Sequence, residues 1–308
     1  MKTILKITIL CFLSLAMIPE IDAQQKIKTM IVTGQDGSHW WKGGSEAIKM
    51  ILENSNLFSV DILITPDWNE DISGFNPDFK KYDLVVINYG GTTWAEAARS
   101  KLEQFVSGGG GVVVVHSSVV GMDNWKGYNE MIGLGAWNGR NEKDGPYVYW
   151  HNDQFVYDYS PGWAGYHGLQ HSSTIIHRNP EHPILKGLPE EWLHFKDEIY
   201  ARLRGPARNM DILATTYEVP EDGREGRHEP ILWTVKYGKG NVFVTLLGHA
   251  GNDPELRYAM ECTGFQVTLL RGAEWVATGK VTQEAPKDFP NKGINTLRKE
   301  FKAPFNAF

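Results

Sequence analysis

Gly108-Gly109-Gly110-Gly111-Val112-Val113-Val114-Val115-His116 is the stretch that decides the fold. Its glycines stop the helix expected before them. The four valines then form a β-branched run, apolar on both sides, as a strand buried on both faces requires. The same pattern recurs outward from here. Asp83–Asn88 reads as another buried strand, and Thr93-Trp94-Ala95-Glu96 reads as a capping box opening a helix that runs to about Val106. Ile27–Val32 and Val60–Ile64 read as strands on either side of a helix from about Gly44 to Glu53, with Ala47, Ile48, Ile51 and Leu52 at helical spacing. This alternation predicts an α/β fold: a single doubly wound, mostly parallel sheet with helices on both faces.

Downstream, strands are expected at Ile199–Leu203, Asp211–Thr215, Ile231–Val235 and Val242–Leu246, then a helix from Pro254 to Arg271 or beyond. Between these halves, Leu134 to His171 shows no clean period and carries aromatics from Trp137 to Tyr166, so a long aromatic insertion is expected there. No linker splits the chain. Residues 24–279 read as one domain and 280–308, with Pro286, Pro290 and Pro304, as a tail lying on it.

Lys2 and Lys6 precede an apolar run from Ile7 to Ile18, then Pro19 and the small Ala23, so residues 1–23 read as a secretory signal peptide. The run is too short to span a membrane. An exported, periplasmic or extracellular protein is expected, with no membrane contact after processing. Cys262 is then the remaining cysteine, so no intrachain disulfide forms, and its apolar neighbours mark it as packing. Hydrophobic residues at 42% and charged residues at 22% exclude a disordered chain, and a net charge of −6 without a basic run argues against nucleic acid.

Ligands of open parallel sheets bind at the carboxyl ends of the strands. His39 and Trp40 follow the first strand, Tyr89 the third, His116 the fourth and His249 the last. His116 sits where some hydrolases carry a Ser or Cys nucleophile, but no G-x-S-x-G occurs. Asp197 and Glu198 are adjacent carboxylates, able to set the protonation of a histidine. His167 and His171 have i, i+4 spacing, though Gly168 weakens a helix there and no HExxH occurs. No Walker or G-x-G-x-x-G motif follows a strand, so no nucleotide cofactor is expected.

Taken together, Gly109–His116, His182-Pro183-Ile184, Gly187-Leu188-Pro189, Asp197–Tyr200, Pro230–Trp233, Tyr237–Phe243, Gly248-His249 and Trp275-Val276-Ala277 resemble the trehalose-utilisation (ThuA-like) family. The resemblance spans roughly residues 27 to 278. It implies a fold like the class I glutamine amidotransferases, whose strand-four elbow carries a Cys. His116 stands at that elbow here, so glutamine hydrolysis is not expected. It also implies disaccharide catabolism, with oxidised 3-keto sugars as a substrate class.

The resulting expectation is an exported carbohydrate-processing enzyme, a hydrolase or lyase, acting on a disaccharide or keto-glycoside. His116 is its central acid/base, with His39, His249, Asp197 and Glu198 as further catalytic residues. Trp40, Tyr89, Trp163, His171 and Tyr200 are the expected sugar contacts. No cofactor is expected. The alternatives are a metal-dependent hydrolase or lyase, with His39, His116 and His249 holding zinc or a similar divalent ion, and a non-catalytic sugar-binding protein.

Overall fold

The structure, a computed structural model, describes residues 25–122, 124–220, 226–253 and 257–299. The expected signal peptide and the end of the tail lie outside the described residues. The first half alternates as the sequence predicts: β1 (Ile27–Thr33), α1 (Trp41–Asn54), β2 (Phe58–Ile64), β3 (Leu84–Asn88), α2 (Glu96–Ser107) and β4 (Gly111–Val115). The second half holds α3 (Lys126–Ile132), a hairpin of β5 (Tyr147–His151) and β6 (Gln154–Asp158), and β7 (Tyr166–His167). Then come β8 (His171–His177), β9 (Glu191–Asp197), β10 (Tyr200–Ala201), β11 (Met210–Glu218), β12 (Arg227–Tyr237), β13 (Gly240–Thr245), α4 (Tyr258–Glu261) and α5 (Thr263–Thr278).

The main sheet runs β2-β1-β3-β4-β13-β12-β11-β8-β9. From β2 to β13 all pairings are parallel, and Leu84–Ile87 and Val112–Val115 lie wholly inside this half. The chain steps from β1 to β2 in one direction and from β3 to β4 in the other. Right-handed crossovers therefore put α1 and α2 on opposite faces, and the reversal opens a crevice at the carboxyl ends of β1 and β3. From β12 to β9 the pairings are antiparallel. The turn between β12 and β13 is only Gly238-Lys239, because Tyr237 pairs with Gly240. A loop that short joins antiparallel neighbours only. The fold is thus the expected doubly wound α/β class, with a mixed central sheet.

Several local expectations give way to packing. No capping box opens α2, whose N-cap is Ala95 without a side-chain bond. Trp94 is buried against Phe75, Phe79 and Trp125, and this aromatic anchoring fixes where the helix starts. The last helix is broken at Cys262, an extended residue that bridges Leu297 of the tail. The strand expected at Ile199–Leu203 is only β10, paired with β7 in a separate two-stranded sheet. β8 and β9 were not foreseen. The aromatic segment is also not structureless: Trp150 packs on Phe155 across the hairpin, Arg202 lies over Trp163, Arg204 over Tyr147 and Arg227 over Tyr149. Several of its rings meet guanidinium groups while Trp137 and Phe155 pack against the apolar core, so no single hydrophobic period marks it.

One buried histidine far from the crevice makes stability pH-dependent. His177 accepts a hydrogen bond from Trp192 Nε1 at 3.1 Å, and burial, reinforced by Arg271, depresses its pKa to about 4. As pH falls below 6.5 the unfolded chain takes up a proton that the folded ring refuses. Stability is therefore lost between about pH 6.5 and 4, by up to about 3 kcal/mol. His177→Gln keeps an acceptor for Trp192 and removes this loss. Urea unfolding at pH 7 and pH 4.5 should show the wild type falling more steeply; parallel falls would reject the assignment.

Candidate functional site

The carboxyl-end crevice gathers residues from five separate segments. Asp36 and His39 come from the loop after β1, Gly90 follows β3, and His116 and Ser117 follow β4. Gly248 and His249 follow β13, and Glu198 and Tyr200 come from the turn after β9 and the start of β10 that it leads into. A cleft of about 420 Å³ is lined by Asp36, His39, Ser117, Trp137, His167, Glu198, Tyr200 and His249, among others. A larger cavity of 580 Å³ has walls of Lys126, Arg140, Arg204 and Arg208 and contains none of these histidines.

The histidine cluster is tight. The rings of His39, His116 and His249 have centroids 4.8–5.2 Å apart. His116 Nε2 lies 3.2 Å from His249 Nδ1, and Glu198 Oε2 lies 3.6 Å from the same nitrogen. Glu198 Oε1 is 4.0 Å from His39 Nε2, and Tyr200 Oη is 3.4 Å from it. Tyr200 is buried between His116 and Trp137.

Two of the imidazoles are held from behind through a ring nitrogen, and His249 is held through its backbone. His39 Nδ1 meets Asp36 Oδ1 at 2.8 Å, while Ser117 Oγ donates to Asp36 Oδ2 at 2.6 Å. His116 Nδ1 meets the Leu246 carbonyl at 2.6 Å. A carbonyl only accepts, so His116 carries its proton on Nδ1 and turns the Nε2 lone pair inward. His116 also adopts φ +44° directly after β4, a conformation that side chains other than glycine rarely hold. The His249 backbone N–H donates to Asp197 Oδ1 at 3.2 Å, and Gly248 N–H donates to Oδ2 at 2.8 Å. Gly248 sits at φ +102° with a Cβ position 2.6 Å from the Phe265 ring, so only glycine fits this turn.

Burial and neighbours set the charge states. Burial, with the other imidazoles, lowers His116 to about 4 and His249 to about 3, so both are neutral at pH 7. Burial also opposes charge on His39, but the Asp36 carboxylate outweighs it and raises that pKa. Burial raises Glu198 against the pull of His167 and His39.

Of the expected site residues, His39, His116, His249, Glu198 and Tyr200 come together here. Asp197 does not face the cleft. It is wholly buried, accepts from His194 Nε2 at 2.7 Å, and so acts on the cluster through the backbone it holds. Tyr89 is wholly buried with its hydroxyl on Gln35 and Thr92, and it has no surface for a sugar. Trp40 is half-buried behind the cluster, under the Arg257 guanidinium at 3.5 Å. Trp163 is exposed under Arg202 and lies outside the cleft lining. His171 starts β8, 3.6 Å from Glu218, also outside it. His167 and His171 lie on strands rather than a helix, and His167 meets Glu198 at 3.7 Å. Sequence reasoning missed Asp36, Trp137 and His194. Asp36 had a local signal: an acid three residues before a histidine in a glycine-containing loop.

Residues 28–276 match the family described as trehalose utilisation (ThuA). The chain belongs to the trehalose-utilisation family. A ThuA-like protein of Parabacteroides merdae is 48% identical, with a TM-score of 0.87 over 90% of this chain and 99% of that one. A ThuA-like protein of Bacteroides uniformis shares the fold at 18% identity and a TM-score of 0.55, over 84% and 94% of the two chains. No curated protein matches. This trehalose-utilisation chain therefore carries its cluster at the switch point of the shared fold.

Proposed function

We propose that this chain is an exported carbohydrate-processing enzyme that transforms a disaccharide or keto-glycoside in the carboxyl-end cleft. The observation that carries the reading is the convergence of His39, His249 and Glu198 on one cleft wall, with His116 buried directly behind them against His249. Clefts of a few hundred Å³ with a few convergent polar groups suit small ligands. Trp137 and Tyr200 supply flat rings, and Asp36, Ser117 and His167 supply hydrogen-bonding groups for hydroxyls. Membership of the trehalose-utilisation family favours a sugar as the ligand. The Lys2, Lys6 and Ile7–Ile18 pattern favours export.

Incubation with plain and oxidised disaccharides, followed by NMR, tests this. A product formed by the wild type and lost on adding excess substrate analogue supports it. Sugar binding by calorimetry with no product would instead make the chain a binding protein, and the absence of both binding and product would reject the sugar reading.

A further inference from the structure

Histidines that serve a core usually satisfy both ring nitrogens with hydrogen bonds. Here the outer nitrogens turn toward one another. One donor atom from each of His39, His116, His249 and Glu198 lies within 4.8 Å of the other three. His116 Nε2 is 3.2 Å from His249 Nδ1, and the Glu198 carboxylate reaches His249 Nδ1 at 3.6 Å through Oε2 and His39 Nε2 at 4.0 Å through Oε1. Ligand atoms about 2.1 Å from one ion are about 3.0 Å apart at right angles and about 4.2 Å apart when opposite. The limit of 4.8 Å exceeds that of a closed shell by about 0.6 Å, so a side-chain shift of a few tenths of an ångström on each side draws the four donors onto one ion.

The surrounding bonds have the form metal sites use. Ligating histidines give their other N–H to a carboxylate or backbone carbonyl. His39 Nδ1 has Asp36 and His116 Nδ1 has Leu246 O. Asp36 is itself fixed by Ser117 Oγ. The arrangement leaves Nε2 of both rings directed at the shared point.

We propose that His39, His116, His249 and Glu198 hold one divalent first-row transition-metal ion. Imidazole and carboxylate donors suit zinc, cobalt or manganese. Four protein ligands leave two places on a six-coordinate ion. The cleft lined by Ser117, Tyr200 and Trp137 adjoins the cluster, so two neighbouring sugar oxygens bound there would fill them. The choice of sugar rests on the proposed function, whereas the ion site rests on its four side chains.

The test uses the full chain without a histidine tag, stripped by chelator and titrated separately with Zn²⁺, Co²⁺ and Mn²⁺ by calorimetry. The expected result is one equivalent of at least one ion, with binding that weakens as pH falls and the histidines protonate. Asp36→Asn should weaken affinity about 10–100-fold. His116→Gln, which can still donate to Leu246 O, and Glu198→Gln should weaken it at least as much. Circular dichroism on each variant confirms that it is folded. No saturable binding of any of the three ions by the wild type overturns the proposal, as does equal affinity in folded His116→Gln and Glu198→Gln. Undiminished sugar turnover by stripped protein also overturns it, while leaving the sugar reading intact. One equivalent bound at these residues, with no sugar bound or turned over, upholds the ion site and rejects the sugar reading.

Discussion

Asp197→Asn should cost about 3–5 kcal/mol of stability, the usual penalty for removing one partner of a buried ion pair. The carboxylate is wholly buried, and burial alone would raise its pKa. His194 and the Gly248 N–H outweigh that and hold it at about 2. Burial likewise opposes charge on His194, but Cys262 and Asp197 raise it to about 10. Both Asp197 oxygens are fully engaged: Oδ2 with His194 and Gly248, Oδ1 with the backbone N–H groups of Glu198 and His249. An asparagine amide would turn its NH₂ toward N–H donors on one side or the other. The melting temperature should fall by roughly 10 °C. Because two cluster residues hang on this carboxylate, activity measured well below the new melting temperature should fall as well. Calorimetric melting of the wild type and variant checks the first part. A loss under 1 kcal/mol would show that Asp197 is no keystone.

Glu198→Gln should lower kcat/KM on the converted sugar about 10²–10⁴-fold, the range for a group that positions or transfers a proton. The side chain lines the cleft, unlike Asp197 one residue earlier, and the amide has nearly the same shape. Melting should change little, because Glu198 has no bond comparable to the His194–Asp197 pair. Steady-state kinetics at matched folding decide it. Unchanged kcat/KM would remove Glu198 from the site.

Adjacent residues with such different tasks show where sequence reading stops. Asp197 and Glu198 were legible as carboxylates able to serve a histidine. Alternation at a strand end implies that they face opposite ways, but not which one meets the cleft. That depends on β9 pairing with β8 and on the turn that leads into β10, and neither outer strand was evident. The histidines were easier to read. His39, His116 and His249 each follow a strand, and the switch-point geometry of a parallel sheet brings strand ends together. The aromatic guesses were weaker. Tyr89 follows β3 as read, yet it is wholly buried, with its hydroxyl donating to Gln35 and Thr92.

The sequence by itself determined the parallel half of the sheet, the class of fold and the elbow at His116. Those features follow from local causes: β-branched apolar runs, helical spacing, and glycines that end helices. The tertiary structure decided the antiparallel half and the membership of the site. Asp36 behind His39, Leu246 O behind His116, and Asp197 beneath His249 are meetings between distant segments. Each is fixed by packing and by the need of buried polar groups for partners, which no stretch of sequence states on its own.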